Sequence, residues 1–393
     1  MQCSFTKCSE GIIITPSHDH VEVRAFYLSQ KDQQNLQASW NIEGEAIFHS
    51  TCWRELCKAA KDESSEIVLS HMETKMILEA EKTAEFHDSM EKLKEETERV
   101  AMMIKTARYC IAFTGAGIST AAGIGDFRGK DGKWTNMDKK KKYGAKGVKK
   151  SRPPISSYRP TYTHEALQKI VEMGLMKHVI SQNCDGLHRL SGIPPERLSE
   201  LHGNCYIEKC EKCGTRYERK FSHRTVSVGH HALVPPQPCH KCHINHRTGG
   251  ICEKPECKGY LMNTIINFGD FLEDSVLNGA KAEALKADLV VCLGSTLQVI
   301  PANMLIEMGQ KPTRLIICNR QVTPYDFVCC QKEEGATDPN GCRVFGDCDD
   351  LMRGVMLNIL GPEGVLEWEQ LRPERMKLYD QMREEQINYM QML

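Results

Sequence analysis

Short apolar runs recur through the middle of the chain: YCIAFT at 109–114, HVISQN at 178–183, DLVVCLGS at 288–295 and LIICN at 315–319. Between them, stretches such as THEALQKIVEMG and AKAEALKA carry apolar residues at helical spacing. Strands alternating with helices predict an α/β fold, a parallel sheet with helices on both faces. Ligands of such sheets bind at the carboxyl ends of the strands, so the residues just after each run are the ones to inspect. Upstream, Met76, Ala80, Thr83, His87, Met90, Leu93, Thr97, Val100, Ile104 and Ala107 recur at steps of three or four, with Glu and Lys on the other faces. That stripe predicts one long helix linking the units across 67–108. Its polar members argue for a helix laid against the next domain rather than a self-associating coiled coil.

Two segments lack such periodicity. Residues 1–66 hold strand-like VEVRAFYL and helix-like ELCKAA among Cys and His. Residues 204–263 are rich in Cys, His, Gly and Pro, the signature of an insertion stabilised by metal rather than by a core. The stretch 361–393 is charged and helix-prone, and no function is read from it.

Composition narrows the setting. The 393 residues are 40% apolar, with net charge −1 and 19 cysteines. No global field draws polyanions, so any nucleic-acid contact must be local. Neither a membrane-length apolar run nor a signal-peptide pattern is present, and an intracellular chain with no membrane partner is expected. In a reducing compartment, paired cysteines point to metal more than to disulfides.

Cys3 and Cys8, with His49 and Cys52 of FHSTCW, would form one tetrahedral zinc site in an N-terminal module over 1–66; ordinary buried or surface cysteines are the alternative. Cys210-x2-Cys213 is half of another site. Its partner pair is either Cys239-x2-Cys242 or Cys252-x4-Cys257, and spacing slightly favours the first. Four sulfurs complete a tetrahedron without His202, which leaves that imidazole as a usable general base near neutral pH.

GAGISTAAGIGDFRG (115–129) follows the first apolar run. Gly115 and Gly117 permit a tight turn and close approach to a phosphate. Asp126, Phe127 and Arg128 follow: an acid, an aromatic able to shield a reactive sugar face, and a guanidinium able to pair with phosphate. Gln182, Asn183 and Asp185 of SQNCDGLH put two amides and a carboxylate at the next strand end, where they can bond a ribose and a carboxamide. An Asx-rich turn is the plainer reading of that cluster.

GAGIST, GDFRG, QNCDGLH, LHGN, a four-cysteine insertion, INFGD, LGSTL and GDCDDLM, in this order, resemble the sirtuins, NAD-dependent protein deacylases. The likeness covers roughly 100–358, and its details look most like the class IV branch with nuclear, chromatin-acting members. It implies a Rossmann-like catalytic domain over 100–360, with a small zinc-binding insertion at about 204–263. It also implies an NAD pocket drawn from Gly115, Ala116, Gly117, Ser119, Thr120, Asp126, Phe127, Arg128 and Trp134. Gln182 would face the ribose, and Asn183 and Asp185 the nicotinamide end. Gly294, Ser295 and Thr296 would hold the phosphate side, and Asn319, Gln321 and Cys348 the adenosine. Ile266, Phe268 and Gly269 match the segment that pairs with substrate peptide, and His202 matches the catalytic histidine. The family's second cysteine pair precedes that segment, which selects Cys252 and Cys257 as partners of Cys210 and Cys213.

The implied chemistry is attack of an acyl-lysine oxygen on the nicotinamide ribose, His202 then taking a proton from a ribose hydroxyl. That hydroxyl attacks the imidate carbon and water completes the release, so the products are nicotinamide, free lysine and 2′-O-acyl-ADP-ribose. Three departures stand out: Gly125 replaces the family's usual Pro, Asp270 its usual Glu, and the second zinc pair is spread from the usual two intervening residues to four. CHKCHINH (239–246) has no counterpart; a second metal site, an alternative ligand pair and a solvated loop are its readings, the loop being expected.

Lys130 to Arg152 holds ten Lys/Arg and two Asp. KKKK at 139–142 and KKSR at 149–152 resemble a two-part nuclear import signal, and the same lysines could meet nucleic-acid phosphates. The expected partners are acylated-lysine proteins, histones among them. The expected location is nuclear, otherwise cytoplasmic. A mono-ADP-ribosyltransferase and a weakly catalytic NAD-binding chromatin scaffold are the competing functions.

Overall fold

The computed structural model describes residues 1–26, 36–62, 64–130, 132–143, 157–219, 235–312, 314–332, 335 and 339–392. The N-terminal elements are β1 (His20–Arg24), β2 (Glu45–His49), α1 (Ser50–Ala59), α2 (His71–Glu81), β3 (Glu85–His87) and α3 (Met90–Thr106). β1 is the centre of an antiparallel sheet ordered β2-β1-β3. Val21 and Val23 alternate inward onto a small core with Phe48, Trp53, Leu56, Met76 and Ile77.

The single helix expected over 67–108 is therefore two helices with a strand between them. Ser70 caps α2 in a reciprocal capping box with Glu73, and Ser89 caps α3 through the Lys92 N–H. The intervening Glu85–His87 pairs with β1, His87 opposite His20 and Glu85 opposite Glu22. Phe86 also donates its backbone N–H to the Arg320 carbonyl at 2.7 Å and packs on Phe345, ring centroids 5.4 Å apart. A local stripe contains no information about a strand partner over 60 residues away, and that pairing overrides it.

Further along lie β4 (Cys110–Thr114), α4 (Lys133–Tyr143), α5 (Tyr162–Glu172), β5 (Met176–Ser181), α6 (Leu187–Leu190) and β6 (Leu198–Glu200). The insertion contributes β7 (Ile207–Cys210), β8 (Arg216–Glu218), β9 (Arg247–Ile251) and β10 (Tyr260–Asn263). The chain returns through α7 (Asp274–Ala284), β11 (Leu289–Leu293), β12 (Leu315–Cys318), α8 (Asp326–Cys329), β13 (Cys342–Val344), α9 (Cys348–Gln370) and α10 (Arg372–Met392).

The central sheet is six-stranded and parallel, ordered β13-β12-β11-β4-β5-β6. Every residue of β4, β11 and β12 is buried, as strands covered on both faces require. One face packs on α3, α5 and α9 through Val100, Ile104, Ala166, Leu167, Leu351 and Val355. The other packs on Ala280, Ala284, Leu305 and Val328. The chain runs outward from β4 to β6, then returns to β4's other side with β11. The strand order thus reverses between β4 and β11, which opens a crevice at their carboxyl ends.

The insertion folds as a separate antiparallel sheet, β8-β7-β10-β9. Among the described residues its buried cluster is small: Cys210, Cys252 and Leu261, with Tyr217 and Cys257 against them. Beyond a kink at Gly361, α10 docks back: Arg372 and Arg375 bond the buried Glu165 carboxylate at 2.8 and 3.2 Å, and Tyr379 packs with Tyr158, Leu187 and Leu190.

Candidate active site and metal centres

Four strand ends converge on the crevice. After β4, the Gly117 N–H donates to the Gly294 carbonyl at 2.8 Å, and Gly294 itself has φ +64. A Cβ on Gly117 would sit 2.6 Å from the Gly294 Cα, so this floor is open to no other residue type. After β5, the Gln182 Oε1 accepts from Ser295 Oγ at 2.7 Å. Asn183 Nδ2 donates to the Gly115 carbonyl at 3.0 Å, and Ser119 Oγ donates to the buried Asp185 carboxylate at 2.8 Å. After β12, Asn319 Nδ2 donates to the Gln321 carbonyl at 3.0 Å. The amides and carboxylate at these ends are held in fixed rotamers before any ligand arrives.

The cleft is lined by Gly117, Thr120, Asp126, Gly294, Asn319, Gln321, Gly346 and Cys348, together with Glu85, Arg320 and Asp347. Of the expected residues, Gly115, Ser119, Gln182, Asn183, Asp185 and Ser295 stand behind or beside this lining in the bonds above. Thr296 follows them, half-buried. Ala116, also half-buried, begins the turn of helix that carries Thr120. Arg128 is exposed; its carbonyl accepts from Gln321 Nε2 at 2.8 Å. Phe127 stacks on Trp134, centroids 6.5 Å apart, and Trp134 meets Phe268 edge-on at 5.0 Å. Trp134 thus joins the loop over the cleft to the Ile266–Gly269 segment.

Glu85, Arg320 and Asp347 escaped the sequence reading. Glu85 comes from the N-terminal sheet: its carboxylate accepts from the Lys130 N–H at 2.8 Å and pairs with Arg320 at 3.3 Å. Arg320 also pairs with Asp347. The N-cap serine at Ser89, four residues on, was the available signal that the stripe breaks near Glu85.

His202 belongs to none of the metal-binding groups among the described residues. Its Nδ1 lies 2.8 Å from the Gln182 carbonyl oxygen. A carbonyl only accepts, so Nδ1 carries the hydrogen and Nε2 keeps its lone pair. Burial holds the imidazole below its usual pKa of 6.5, which keeps it in the base form at neutral pH. Its own carbonyl accepts from the Ile266 N–H at 3.0 Å, which fixes the histidine against the segment expected to meet peptide.

Nine of the 19 cysteines fall into three groups, each with ligand atoms within 4.8 Å of one another. Cys210, Cys213, Cys252 and Cys257 form one, with Sγ–Sγ separations of 3.5 Å (Cys210–Cys257) and 3.6 Å (Cys213–Cys252). A tetrahedron with Zn–S of about 2.3 Å has an edge of about 3.8 Å, so the thiols stand close to a ZnS4 arrangement. Cys3, Cys8, His49 and Cys52 form the second; Cys8 Sγ is 3.3 Å from His49 Nδ1 and 3.5 Å from Cys52 Sγ. Cys239 and Cys242 are not with Cys210 and Cys213; they meet His246 and Asp270, so CHKCHINH is not the free solvated loop expected. A further grouping, His20, Glu22 and His87, already holds a cation, since the Lys130 ammonium pairs with Glu22.

No helix among the described residues is long and apolar enough to cross a membrane. Lys139 to Lys142 lie in α4, and KKSR at 149–152 lies outside the described residues.

The Sir2 family model matches residues 115–301. The NAD-dependent protein deacetylase Sirt6 of Drosophila melanogaster is 36% identical over 262 residues, covering 66% of this chain and 76% of that protein. An NAD-dependent protein deacetylase of Sulfurisphaera tokodaii is 35% identical over 247 residues, covering 59% of this chain and 88% of that protein. The NAD-dependent protein deacetylase SRT1 of Arabidopsis thaliana is 37% identical over 244 residues, covering 62% of this chain. The chain spans 47% of the length of that SRT1 and 62% of that of the Bos taurus sirtuin-7. Order of motifs, crevice and relatives agree: the chain belongs to the Sir2 family, the sirtuins.

Proposed function

We propose that the chain is an NAD-dependent protein-lysine deacylase, releasing nicotinamide, free lysine and 2′-O-acyl-ADP-ribose. The observation that carries this reading is His202: in none of the metal-binding groups among the described residues, with Nδ1 tied to the carbonyl of Gln182, which follows β5. The crevice suits a dinucleotide. The Gly117–Gly294 floor has no side chain to hold off a pyrophosphate, and Asn319, Gln321 and Cys348 line the end expected to take adenosine. Bound NAD would supply a ribose with a leaving nicotinamide, and so an acceptor for the acyl group.

This chain's residues supply the rest. Gln182, Asn183 and Asp185 orient the nicotinamide ribose and carboxamide. Phe127, stacked on Trp134, keeps water from the sugar face. His202 Nε2 accepts the proton of a ribose hydroxyl. Ile266, Phe268 and Gly269 offer backbone to the acyl-lysine peptide beside it. Zinc fits the four thiols of the insertion, and a second zinc fits Cys3, Cys8, His49 and Cys52. Both are structural in this reading, being closed sites with four protein ligands.

Histones and other nuclear proteins are the proposed substrates and the nucleus the proposed location. The lysine run at 139–142 supports both, and offers a salt-dependent contact with nucleic acid. Incubation with NAD and acetyl, succinyl and myristoyl peptides, read by mass spectrometry, tests the activity. Free lysine with 2′-O-acyl-ADP-ribose is expected. ADP-ribose attached to protein without deacylation would replace this reading with a transferase, and NAD binding with neither product would replace it with a scaffold.

A further inference from the structure

Residues 239–246 and Asp270 build a site that the deacylase reading does not use. The loop folds as a knuckle: Cys239 N–H donates to the Ile244 carbonyl at 2.9 Å, His243 N–H to the Cys239 carbonyl at 3.0 Å, and Lys241 N–H approaches Cys239 Sγ at 3.4 Å. This turns Cys239, Cys242 and His246 to one side, where Asp270 meets them. Cys239 Sγ is 3.2 Å from Asp270 Oδ1, Cys242 Sγ is 3.2 Å from His246 Nε2, and His246 Nε2 is 3.4 Å from Asp270 Oδ2. All four ligand atoms lie within 4.8 Å of one another. Tetrahedral zinc with bonds of about 2.3 Å to sulfur and about 2.0–2.2 Å to nitrogen and oxygen would space such atoms about 3.4–3.8 Å apart.

The hydrogen bonds around His246 decide its tautomer. Asn263 Nδ2 donates to the His246 carbonyl at 3.1 Å, so the Asn263 Oδ1 faces the other way. That oxygen accepts from the Ile265 N–H at 3.1 Å and lies 3.1 Å from His246 Nδ1. Nδ1 therefore carries the ring hydrogen, and the bare Nε2 points at the Asp270 carboxylate. A lone pair facing a carboxylate needs a positive centre between them, a proton or a metal ion, and the two cysteines alongside complete a ligand set for the metal. An outer amide fixing a ligating histidine in this way is the usual support of a metal site.

We propose that Cys239, Cys242, His246 and Asp270 bind a divalent, thiophilic cation of the zinc type, with both cysteines as thiolates and their protons released to solvent. The site joins the 239–246 knuckle to Asp270. Asp270 follows Gly269, whose backbone at φ +96 leaves a would-be Cβ only 3.3 Å from the Lys241 carbonyl. Metal binding would therefore lock the knuckle to the Ile266–Gly269 segment. The family's usual Glu at 270 would carry the carboxylate one methylene further, so the shorter Asp fits this cluster. The consequence for peptide binding rests on the deacylase reading; the site itself does not.

The test compares metal content of the purified full-length chain, expressed in zinc-replete medium, with that of Cys239→Ser/Cys242→Ser. One equivalent fewer in the variant is expected, with the absorption of the cobalt-substituted chain losing thiolate charge-transfer intensity. Asp270→Asn, which keeps shape and removes charge, is the second variant should the first misfold. It should lose metal to a chromophoric chelator at least about ten-fold faster, as weakened metal sites do. Equal metal content together with equal chelator kinetics would overturn the proposal, as would a Cys239–Cys242 disulfide in the native chain. None of these readouts needs NAD. If deacylation is observed, the variants should raise KM for peptide while leaving NAD affinity in place.

Discussion

The central sheet and the insertion sheet sit side by side but are held by different forces. β4, β11 and β12 are buried along their whole length, between helices on both faces. Among the described residues, the buried cluster of β7 to β10 is small, Cys210, Cys252 and Leu261. One is stabilised by apolar area; the other has too little to fold on that account, and sulfur ligands stand where a core would be. The rigid sheet carries the groups that need fixed geometry, Gly117, Gln182, Asn183, Asp185 and Gly294. In the proposed function the metal-bearing lobe meets the peptide, and His202 stands beside it, its carbonyl bonded to the Ile266 N–H.

The largest effect should come from breaking this contrast on the metal side. Structural zinc supplies about 10–16 kcal/mol of apparent folding free energy in small zinc domains, far above any single side chain. Cys252→Ser should therefore strip hydrogen-exchange protection from the β7–β10 amides while β4, β11 and β12 keep theirs. Protection persisting across β7–β10 would mean that the insertion has a core of its own. On the apolar side, Phe113→Ala in β4 empties a fully buried site. It should cost about 3–5 kcal/mol in urea denaturation, with zinc content unchanged. Loss of zinc along with it would show that the two regions fold as one unit.

His202 sharpens the comparison at the seam. Removing a general base costs about 10²–10⁴ in rate, so His202→Ala should lower kcat by that much with little change in stability. Because burial depresses the imidazole pKa below 6.5, its base form is retained as pH falls to that value, and kcat should drop only at lower pH. Stability has its own acid limb. His178 is pushed by burial to about 4, so between roughly pH 6.5 and 4 the unfolded chain binds the extra proton. Stability is thus complete above pH 6.5 and is lost as pH falls through that window. Added zinc should counter acid loss in the insertion, where protons compete for ligands, and not in the central sheet.

How readable each region is in the sequence follows from the same contrast. Parallel strands buried on both faces must be continuous apolar runs, so 109–114, 178–183, 288–295 and 315–319 announced the sheet and the strand ends. Metal knuckles are local, so Cys210-x2-Cys213 announced a site from spacing alone. What depended on tertiary pairing was hidden. β3 lay inside a helical stripe because its partner, β1, is distant in sequence. Asp270 was a departure without a role until the fold set it against Cys239, and CHKCHINH looked like a loop for the same reason. Glu85 reaches the cleft from a stretch read only as a linking helix.

Glu85 offers the smallest and most pointed test. Its carboxylate lines the cleft, accepts from the Lys130 N–H and pairs with Arg320, whose side chain is 35% exposed. Glu85→Gln keeps an oxygen for Lys130 and removes one negative charge from a cleft proposed to hold a pyrophosphate. A partly exposed pair of this kind is worth up to about 1 kcal/mol, so NAD should bind up to about five-fold tighter at low salt, the gain fading as salt is added. Calorimetry reads this directly. Weaker binding instead would mean that the carboxylate accepts ligand hydroxyls, as acidic residues do in other dinucleotide sites. The N-terminal sheet would then be part of the nucleotide site itself, and the division between a chemical sheet and structural metal-bearing lobes would no longer hold at its N-terminal edge.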